Sequence, residues 1–447
     1  MTRTLRIRIN KKSVITEYKR KMNETKIFYN ACLFVTRYRY FLNSKNSDKI
    51  PEEVKESFTS YHLDEWLQDE NVWLGQMVSY GNDFLIKIQE QTKVSLTRKE
   101  QQTILRKICA DWTSFFRGFA EAKQSKRKIN IPYYKDFDYA TSEFNKQMVS
   151  LVNYDKDKEI KLTGTNAKVK MPNWLKKDEI QSARLKYTNG FVYLEVIYNK
   201  AEQKKKRLSK KKVASIDPGL NWVATLTFNW MKKPIGIGGK ELKSINQLYN
   251  KERSKISSAI DTEKDEKIKE KLIQERNRIT EKRNLRIEHQ LHKISNYIVN
   301  TLVENKVSKL IFGHNNGQKE NINIGKRNNQ NFVSIPFAKL IQLLDYKCEE
   351  AGVEFIVQEE SYTSKASFLS SDFIPVKNNE PENFDYKFSG YRPERGKYKD
   401  KKVKLIIHSD CNGSYNIMRK NGINLEKVRK TFIKHNNIIE LYGITIK

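Results

Sequence analysis

Cysteine is scarce in this 447-residue chain: Cys32, Cys109, Cys348 and Cys411 are all there is, and no two lie close in sequence. Without a CxxC pair nothing supports a cysteine-held zinc site, and so sparse a set suits a reducing compartment better than a disulfide framework. Long apolar runs are missing as well. No stretch approaches the ~20 residues that span a bilayer, and the opening MTRTLRIRINKK lacks the apolar core of a secretory signal. Acidic residues fall short of basic ones, 53 against 85, which leaves a net charge of +32 and a pI near 9.7. Such an excess on a folded chain points to a large polyanion as partner, nucleic acid above all. Lysine dominates it, which partly reflects the composition expected of an AT-rich genome.

What is present excludes a disordered basic tail. Hydrophobic residues make up 38% and aromatics 11%, enough to fill cores. At this length the chain builds at least two, since single cores stop growing at about 250–300 residues. Leu5, Ile7 and Ile9 alternate with polar residues and predict a strand. From about Val14 to Lys128 the apolar spacing turns to 3 and 4, as in Tyr29, Leu33, Thr36 and Tyr40, and predicts helices until Pro132 breaks them. Residues 146–200 return to short β-like runs, with Asn189-Gly190 as a hairpin turn between two of them. An early strand, a helical insertion and further strands read as one β-barrel-like module, 1–12 and 129–200, interrupted by a helical lobe, 13–128.

Residues 201–212 form a basic run whose plain reading is a solvated linker. A phosphate-contact strip through Lys204, Lys205 and Arg207, or a nuclear import signal, is the alternative. Beyond it, KVASID, WVATLTF and PIGIGG predict an antiparallel meander. Ser244 to Asn305 has no Pro or Gly and predicts a long Lys-rich helix, an RNA-backbone rail, with Ile287, Leu291, Ile294, Ile298 and Leu302 on one face. A strand at 308–312, a helix at 336–351 and a strand at 353–358 complete the order β-β-β-α-β-α-β, the topology of an RNase H-like domain over 213–447. The fold class expected is therefore a multidomain α+β chain, with the nuclease-type α/β domain at its C-terminal end.

Three acidic constellations carry chemistry. Asp217 ends an apolar strand and is followed by Pro218-Gly219, which places a carboxylate at the rim of a sheet unless the tripeptide is an ordinary turn. Asp410, in His408-Ser409-Asp410-Cys411-Asn412-Gly413, sits at a strand-to-helix junction, where helix capping is the plain alternative. Glu359 and Glu360 follow the strand VEFIV and are either a solvated edge or the third ligand of a metal pair. Carboxylates that share Mg²⁺ suit phosphodiester cleavage, because paired ions stabilise the attacking and leaving oxygens.

Taken together, the DPG strand, GHNNGQKENINIGKRNNQNFVSIPF, EESYTSK and SDCNGSYNI resemble the transposon-encoded TnpB family, relatives of the compact type V CRISPR effectors. The likeness covers about Val213 to Lys420 and extends more weakly to WTSFFRGFAEAK and INIPYYK. It implies a wedge-type barrel with an inserted recognition lobe, followed by a RuvC domain. It also implies an RNA-guided DNA endonuclease that uses Mg²⁺, with Mn²⁺ as a substitute, and requires a short target-adjacent motif. The implied partners are a guide RNA encoded at or beside its own locus and double-stranded target DNA, in a monomeric ribonucleoprotein with no membrane role. In that reading Asp217 matches the first RuvC acid and Asp410 the last. The expected compartment is the cytoplasm and nucleoid of a prokaryote, or the nucleus for a eukaryotic relative.

Two departures stand out. Most members carry the middle glutamate at the end of the fourth strand, where this chain has Gly313-His314-Asn315. A branch of the family carries it just before the Tyr-Thr-Ser motif, which is Glu360 here, with Glu359 as its rival because a one-residue register change swaps faces. The second departure is the region 366–404, a lid or loop without the paired cysteines of a zinc ribbon, so no zinc is expected. Tyr362 is read as a base-stacking or a packed aromatic, Lys365 as a phosphate contact, and Arg37 and Arg39 as part of a basic-aromatic surface whose other half is core. His314 is read as a loop residue. A nuclease-inactive RNA-guided repressor and a transposase acting directly on DNA ends are the competing functions.

Overall fold

The computed structural model describes residues 2–42, 81–125, 129–200, 207–314, 335–376, 386–434 and 440–446. It divides into two compact units, Met1–Ala201 and Glu202–Lys447. Lys204 and Lys205 lie outside the described residues, as does the side chain of Arg39.

The first unit begins with β1 (Thr2–Arg8), followed by the helices α1 (Lys12–Leu42), α2 (Gly81–Thr92) and α3 (Arg98–Ser125). Then come β2 (Ser142–Phe144), β3 (Val149–Ser150), the single turn α4 (Tyr154–Asp157), β4 (Glu159–Leu162), β5 (Lys168–Lys170), β6 (Ile180–Thr188) and β7 (Phe191–Asn199). Where sequence predicted one barrel-like module, the described strands form two antiparallel sheets, β1-β7-β6-β2 and β3-β4-β5. Of the run MVSLVNY, 148–154, expected as a strand, only Val149–Ser150 is one, between a 3₁₀ turn that Asn145 caps by accepting from Gln147 N at 3.0 Å and the turn α4. Asn189 and Gly190, at φ +52° and +82°, make the tight β6–β7 hairpin their sequence predicts. One core lies among the strands and the start of α1, with Tyr18, Met22, Tyr154, Leu185 and Leu194 buried. A second lies among the helices, around Phe28, Leu33, Ile88, Ile108 and Trp112.

The second unit is built on a six-stranded sheet of order β12-β11-β8-β9-β10-β16. Its strands are β8 (Ser209–Asp217), β9 (Trp222–Phe228), β10 (Ile235–Gly238), β11 (Val307–Gly313), β12 (Glu354–Gln358) and β16 (Tyr442–Ile444). β8, β9 and β10 form an antiparallel meander, whereas β11 runs parallel to both β8 and β12. The basic run ends inside β8, which starts at Ser209, so its last four residues belong to the sheet.

Strand alternation decides what each face of this sheet carries. Ala214 and Ile216 of β8 and Leu310 and Phe312 of β11 pack on one face against α6 (Glu266–Glu304) and α7 (Phe337–Ala351). Leu291, Ile294, Ile298 and Leu302 are all buried there, each contributing about 1.5–3 kcal/mol relative to exposure. Val213 and Ile311 point the other way, into a separate core with α8 (Ser409–Lys420) and α9 (Glu426–Lys434). Asp217 and Gly313 have the parity of Val213 and Ile311, so both face α8.

The long Lys-rich stretch is a helical hairpin rather than one helix. α5 (Lys240–Thr262) ends and α6 begins at Asp265, whose Oδ1 accepts from Lys267 N at 2.8 Å and Ile268 N at 3.1 Å. An aspartate that caps its own downstream turn breaks a helix without proline or glycine. β13 (Gly390–Tyr391) and β14 (Lys397–Asp400), within the region expected as a lid, form a small antiparallel sheet with β15 (Ile406–His408) just beyond it. Among the described residues no helix is long and apolar enough to cross a membrane.

Candidate nuclease site

Three carboxylates from three separate elements share one electrostatic environment. Asp217 is the last residue of β8, Glu360 lies two residues beyond β12, and Asp410 is in the first turn of α8. Burial pushes the Asp217 carboxyl well above its ordinary range, and the charges of Glu360 and then Asp410 push it further up. Arg392, on the β13–β14 turn, pulls in the opposite direction. Each of the three acids keeps partial access to solvent.

Two glycines make the convergence possible. A Cβ on Gly313 would stand 2.3 Å from Glu360 Oε2 and 2.4 Å from Ile417 Cδ1, and one on Gly413 would stand 2.4 Å from Asp217 Oδ2. No side chain fits at either place without displacing an acid. The carboxylate of Glu360 therefore occupies the space above residue 313, the position where most relatives of the resembled family carry their glutamate. Parallel pairing brings this about, because Gly313 and Gln358 are partners across β11 and β12, and His314 N continues the ladder to Gln358 O at 2.8 Å. That backbone bond is the role the structure gives His314.

Glu359 goes elsewhere. Burial would raise its pKa, but hydrogen bonds from Lys420 and Ser361 outweigh that and hold it below the ordinary value. Its Oε1 accepts from Ser361 N at 2.7 Å and its Oε2 is paired with the Lys420 ammonium. It braces the turn, its carboxylate engaged by Ser361 and Lys420. Asp410 does not cap its helix. His408 does, its Nδ1 accepting from Asp410 N at 3.3 Å, which leaves the carboxylate of Asp410 in the first turn, where the helix dipole favours negative charge. Burial lowers the pKa of His408, partly offset by Asp410, with Arg392 adding to the lowering.

The loop that carries Glu360 is laced to α8 by amide side chains. Asn416 Nδ2 donates to Thr363 O at 2.9 Å and Ala366 O at 2.7 Å, and Asn412 Nδ2 donates to Ala366 O at 2.8 Å. Lys420 Nζ donates to Ser361 O at 2.9 Å. Beneath, Ser215, Thr227 and Ser414 join their hydroxyls in the fully buried interface, with Ser215 Oγ donating to Ser414 O at 2.7 Å. One motif, SDCNGSYN, thus supplies an acid, the glycine that admits Asp217, and the two amides that hold the loop of Glu360.

The remaining sequence candidates scatter. Tyr362 and Lys365 lie on the same loop as Glu360, with Lys365 Nζ 5.6 Å from the Tyr362 ring centre. Arg37 is in the first unit and engaged there, donating to Pro132 O at 3.0 Å and lying 4.9 Å over the Tyr134 ring. Arg207 is exposed just ahead of β8. Arg392, Asn412, Asn416 and the two glycines are what sequence reasoning passed over. The amides had a legible signal, a four-residue spacing on one helix face, whereas Arg392 had none.

Carboxylates crowded by one another suit a divalent cation, and the donor set is the oxygen-only type that Mg²⁺ takes. Among the described residues, however, no three acidic, histidine or cysteine side chains stand close enough to hold a metal ion as placed. The arrangement is a convergence rather than a closed cage.

Comparison with known families gives two matches to this half of the chain. Residues 195–318 match the probable transposase family OrfB_IS605, and residues 337–417 match the Cas12f1-like TNB domain. The chain is similar to the TnpB-like compact type V effectors. Both matches fall within or beside the stretch from which the resemblance was read. No curated protein matches the chain. Among solved structures, a cryo-EM Cas12f1–sgRNA–target DNA complex aligns over 93% of this chain and 98% of its own, at 13% identity and a TM-score of 0.48. A CRISPR–Cas12f ternary complex aligns with the same coverage and identity at 0.37, and a Cas12i(E894A)–crRNA–dsDNA complex over 95% and 65% at 12% and 0.31.

Proposed function

We propose that this chain is an RNA-guided DNA endonuclease that hydrolyses phosphodiester bonds in a RuvC site formed by Asp217, Glu360 and Asp410. The observation that carries the proposal is their convergence on the α8 face of the sheet, with Glu360 over Gly313. The strand order β12-β11-β8-β9-β10, with a three-stranded meander and two parallel additions, supports reading the second unit as RNase H-like. The two sheets and helices of the first unit are read as wedge and recognition lobe.

In this account the chain's own residues hold charge. Asp217, Glu360 and Asp410 are the groups that would hold Mg²⁺, or Mn²⁺ in its place. Bound there, the ion would supply charge stabilisation to the attacking and leaving oxygens and lower the pKa of water. The two glycines let the acids approach, Asn412 and Asn416 fix the Glu360 loop, and Arg392 offers a positive charge where a scissile phosphate would sit. Guide pairing would read sequence while the +32 chain binds backbone and a short flanking motif, so that binding weakens steeply with salt.

The inactive-repressor reading draws on the missing glutamate at Gly313, and the carboxylate of Glu360 over that residue weighs against it. The test is to sequence the RNA that co-purifies with protein expressed beside its native flanking DNA. A single species with a fixed scaffold and a 3′ end running past the element boundary supports RNA guidance, and matched DNA should then be cut in Mg²⁺. Random fragments, with strand transfer that survives RNase, would favour the transposase.

A further inference from the structure

The loop of Glu360 carries an aromatic group that the hydrolytic account leaves unused. Tyr362, two residues past Glu360, has φ +63°, in the left-handed region that a bulky aromatic rarely enters. Its backbone is locked there, its carbonyl accepting from Lys365 N and Ala366 N, both at 3.0 Å. The amides of Asn412 and Asn416 hold the same loop to α8. The ring is carried out to Tyr386, 5.6 Å between centres, and to Phe388 at 6.3 Å and an interplanar angle of 34°. Tyr386 and Phe388 are stacked on each other at 27°. Their segment is anchored too, with Ser389 N and Ser367 N both donating to Asp372 Oδ2 at 2.8 Å.

Among the described residues these rings join no buried core. All three keep partial exposure, and none joins the buried cluster beneath them, which is closed by Phe368, Tyr398 and Tyr415. A strained backbone held rigid to present a ring at a surface marks function rather than packing. Lys365 Nζ over the Tyr362 ring adds a cation beside the π-faces. Aromatic faces with a neighbouring ammonium match one ligand chemistry, the flat base and charged phosphate of an unpaired nucleotide.

We propose that Tyr362, Tyr386 and Phe388 form a stacking platform for one unpaired base of the DNA strand entering the carboxylate site. The inference rests on the nuclease reading above. Holding that base sets the adjacent phosphate against the acids, and it admits a strand only where its bases are splayed. A paired base keeps its faces covered by its neighbours and cannot dock.

The test uses the guide-loaded ribonucleoprotein and matched targets with single abasic sites stepped across the mapped cut. The wild type should cut at least about tenfold slower when one particular base beside the cut is missing. Tyr362→Asn, which keeps the left-handed backbone, and Tyr386→Leu should be slow on the intact target and indifferent to that abasic site, with target binding unchanged. Tyr362→Phe should retain the wild-type pattern. Cutting by the wild type with no abasic-sensitive position, or normal rates in Tyr362→Asn, would overturn the platform and leave the nuclease standing. A second readout needs no cutting: 2-aminopurine in a single strand bound to Asp217→Ala protein should be quenched, and recover when Tyr362→Asn and Tyr386→Leu are added. Quenching that persists in the triple variant overturns the platform, whatever becomes of the nuclease reading.

Discussion

Each unit of this chain gathers a cluster of charge, and the two clusters differ in what stands against it. In the first unit, Lys21, 1% exposed, donates to Ser95 O at 2.9 Å and pairs with Glu100 at 3.0 Å. Glu100 Oε2 also accepts from Thr97 N and Thr97 Oγ1, both at 2.8 Å, at the start of α3. Gly164, at φ +70°, leaves room for the ammonium, since a Cβ there would fall 2.3 Å from it. That charge is answered from within. In the second unit the charges of Glu360 and Asp410 bear on Asp217, and the exposed Arg392 partly offsets them. The neighbouring Glu359–Lys420 pair shows that the same loop can neutralise an acid where structure requires it. On the reading proposed above, the first cluster is structural because its cation is built in, and the second serves a ligand.

The largest expected effect breaks the second cluster. Asp217→Ala or Asp410→Ala should lower cleavage of matched DNA by about a thousandfold or more, the several kcal/mol of charge stabilisation that metal-held acids supply, with target binding retained. Gel shift beside single-turnover cleavage separates the two. Breaking the first cluster should instead cost stability. Lys21→Ala leaves Glu100 buried and unpaired and should lose about 3–5 kcal/mol, whereas Lys21→Met with Glu100→Leu should lose much less. Hydrogen exchange of α1 and α3 in the full-length protein checks this, and equal losses would mean that the pair itself is not what matters.

Smaller effects sharpen the contrast. Gly313→Ala forces Glu360 aside, and misplacement on the scale of 1 Å can cost about a hundredfold in rate. It should cut slowly yet bind its target normally. Asp217→Asn tests the repulsion directly. A carboxyl whose folded pKa is raised contributes stability below its unfolded pKa, and that contribution is lost as pH rises through the folded value. Without divalent ions the wild type should therefore lose stability as pH rises from about 4, and Asp217→Asn should lose less and melt a few degrees higher at neutral pH. Mg²⁺ should raise the melting temperature of the wild type and leave that of Asp217→Asn nearly unchanged.

The comparison also shows what sequence can carry. Asp217 was legible at a strand end because the apolar strand and Pro218-Gly219 fix it locally, and the spacing of Leu291, Ile294, Ile298 and Leu302 marked the buried face of their helix. Glu360 was preferred to Glu359 only through the family resemblance, because both follow the same strand; in the structure they part, Glu359 to Lys420 and Glu360 to the space over Gly313. The end of α5 escaped for a similar reason, since Asp265 looks like any charge in a charged stretch until its side chain turns back on Lys267 N and Ile268 N. Arg392 reaches Asp217 through a β-turn between strands of two and four residues, too short to show a period. Long-range placement by short elements is where pattern reading stops.

The central claim is that Glu360, and not Glu359, completes the site above Gly313. Single-turnover cleavage of guide-matched DNA by the wild type, Glu360→Gln and Glu359→Gln tests it most directly. Mg²⁺-dependent cutting should survive in Glu359→Gln and vanish in Glu360→Gln with binding intact. The reverse pattern, or a wild-type complex that binds its target and never cuts it, would contradict the account.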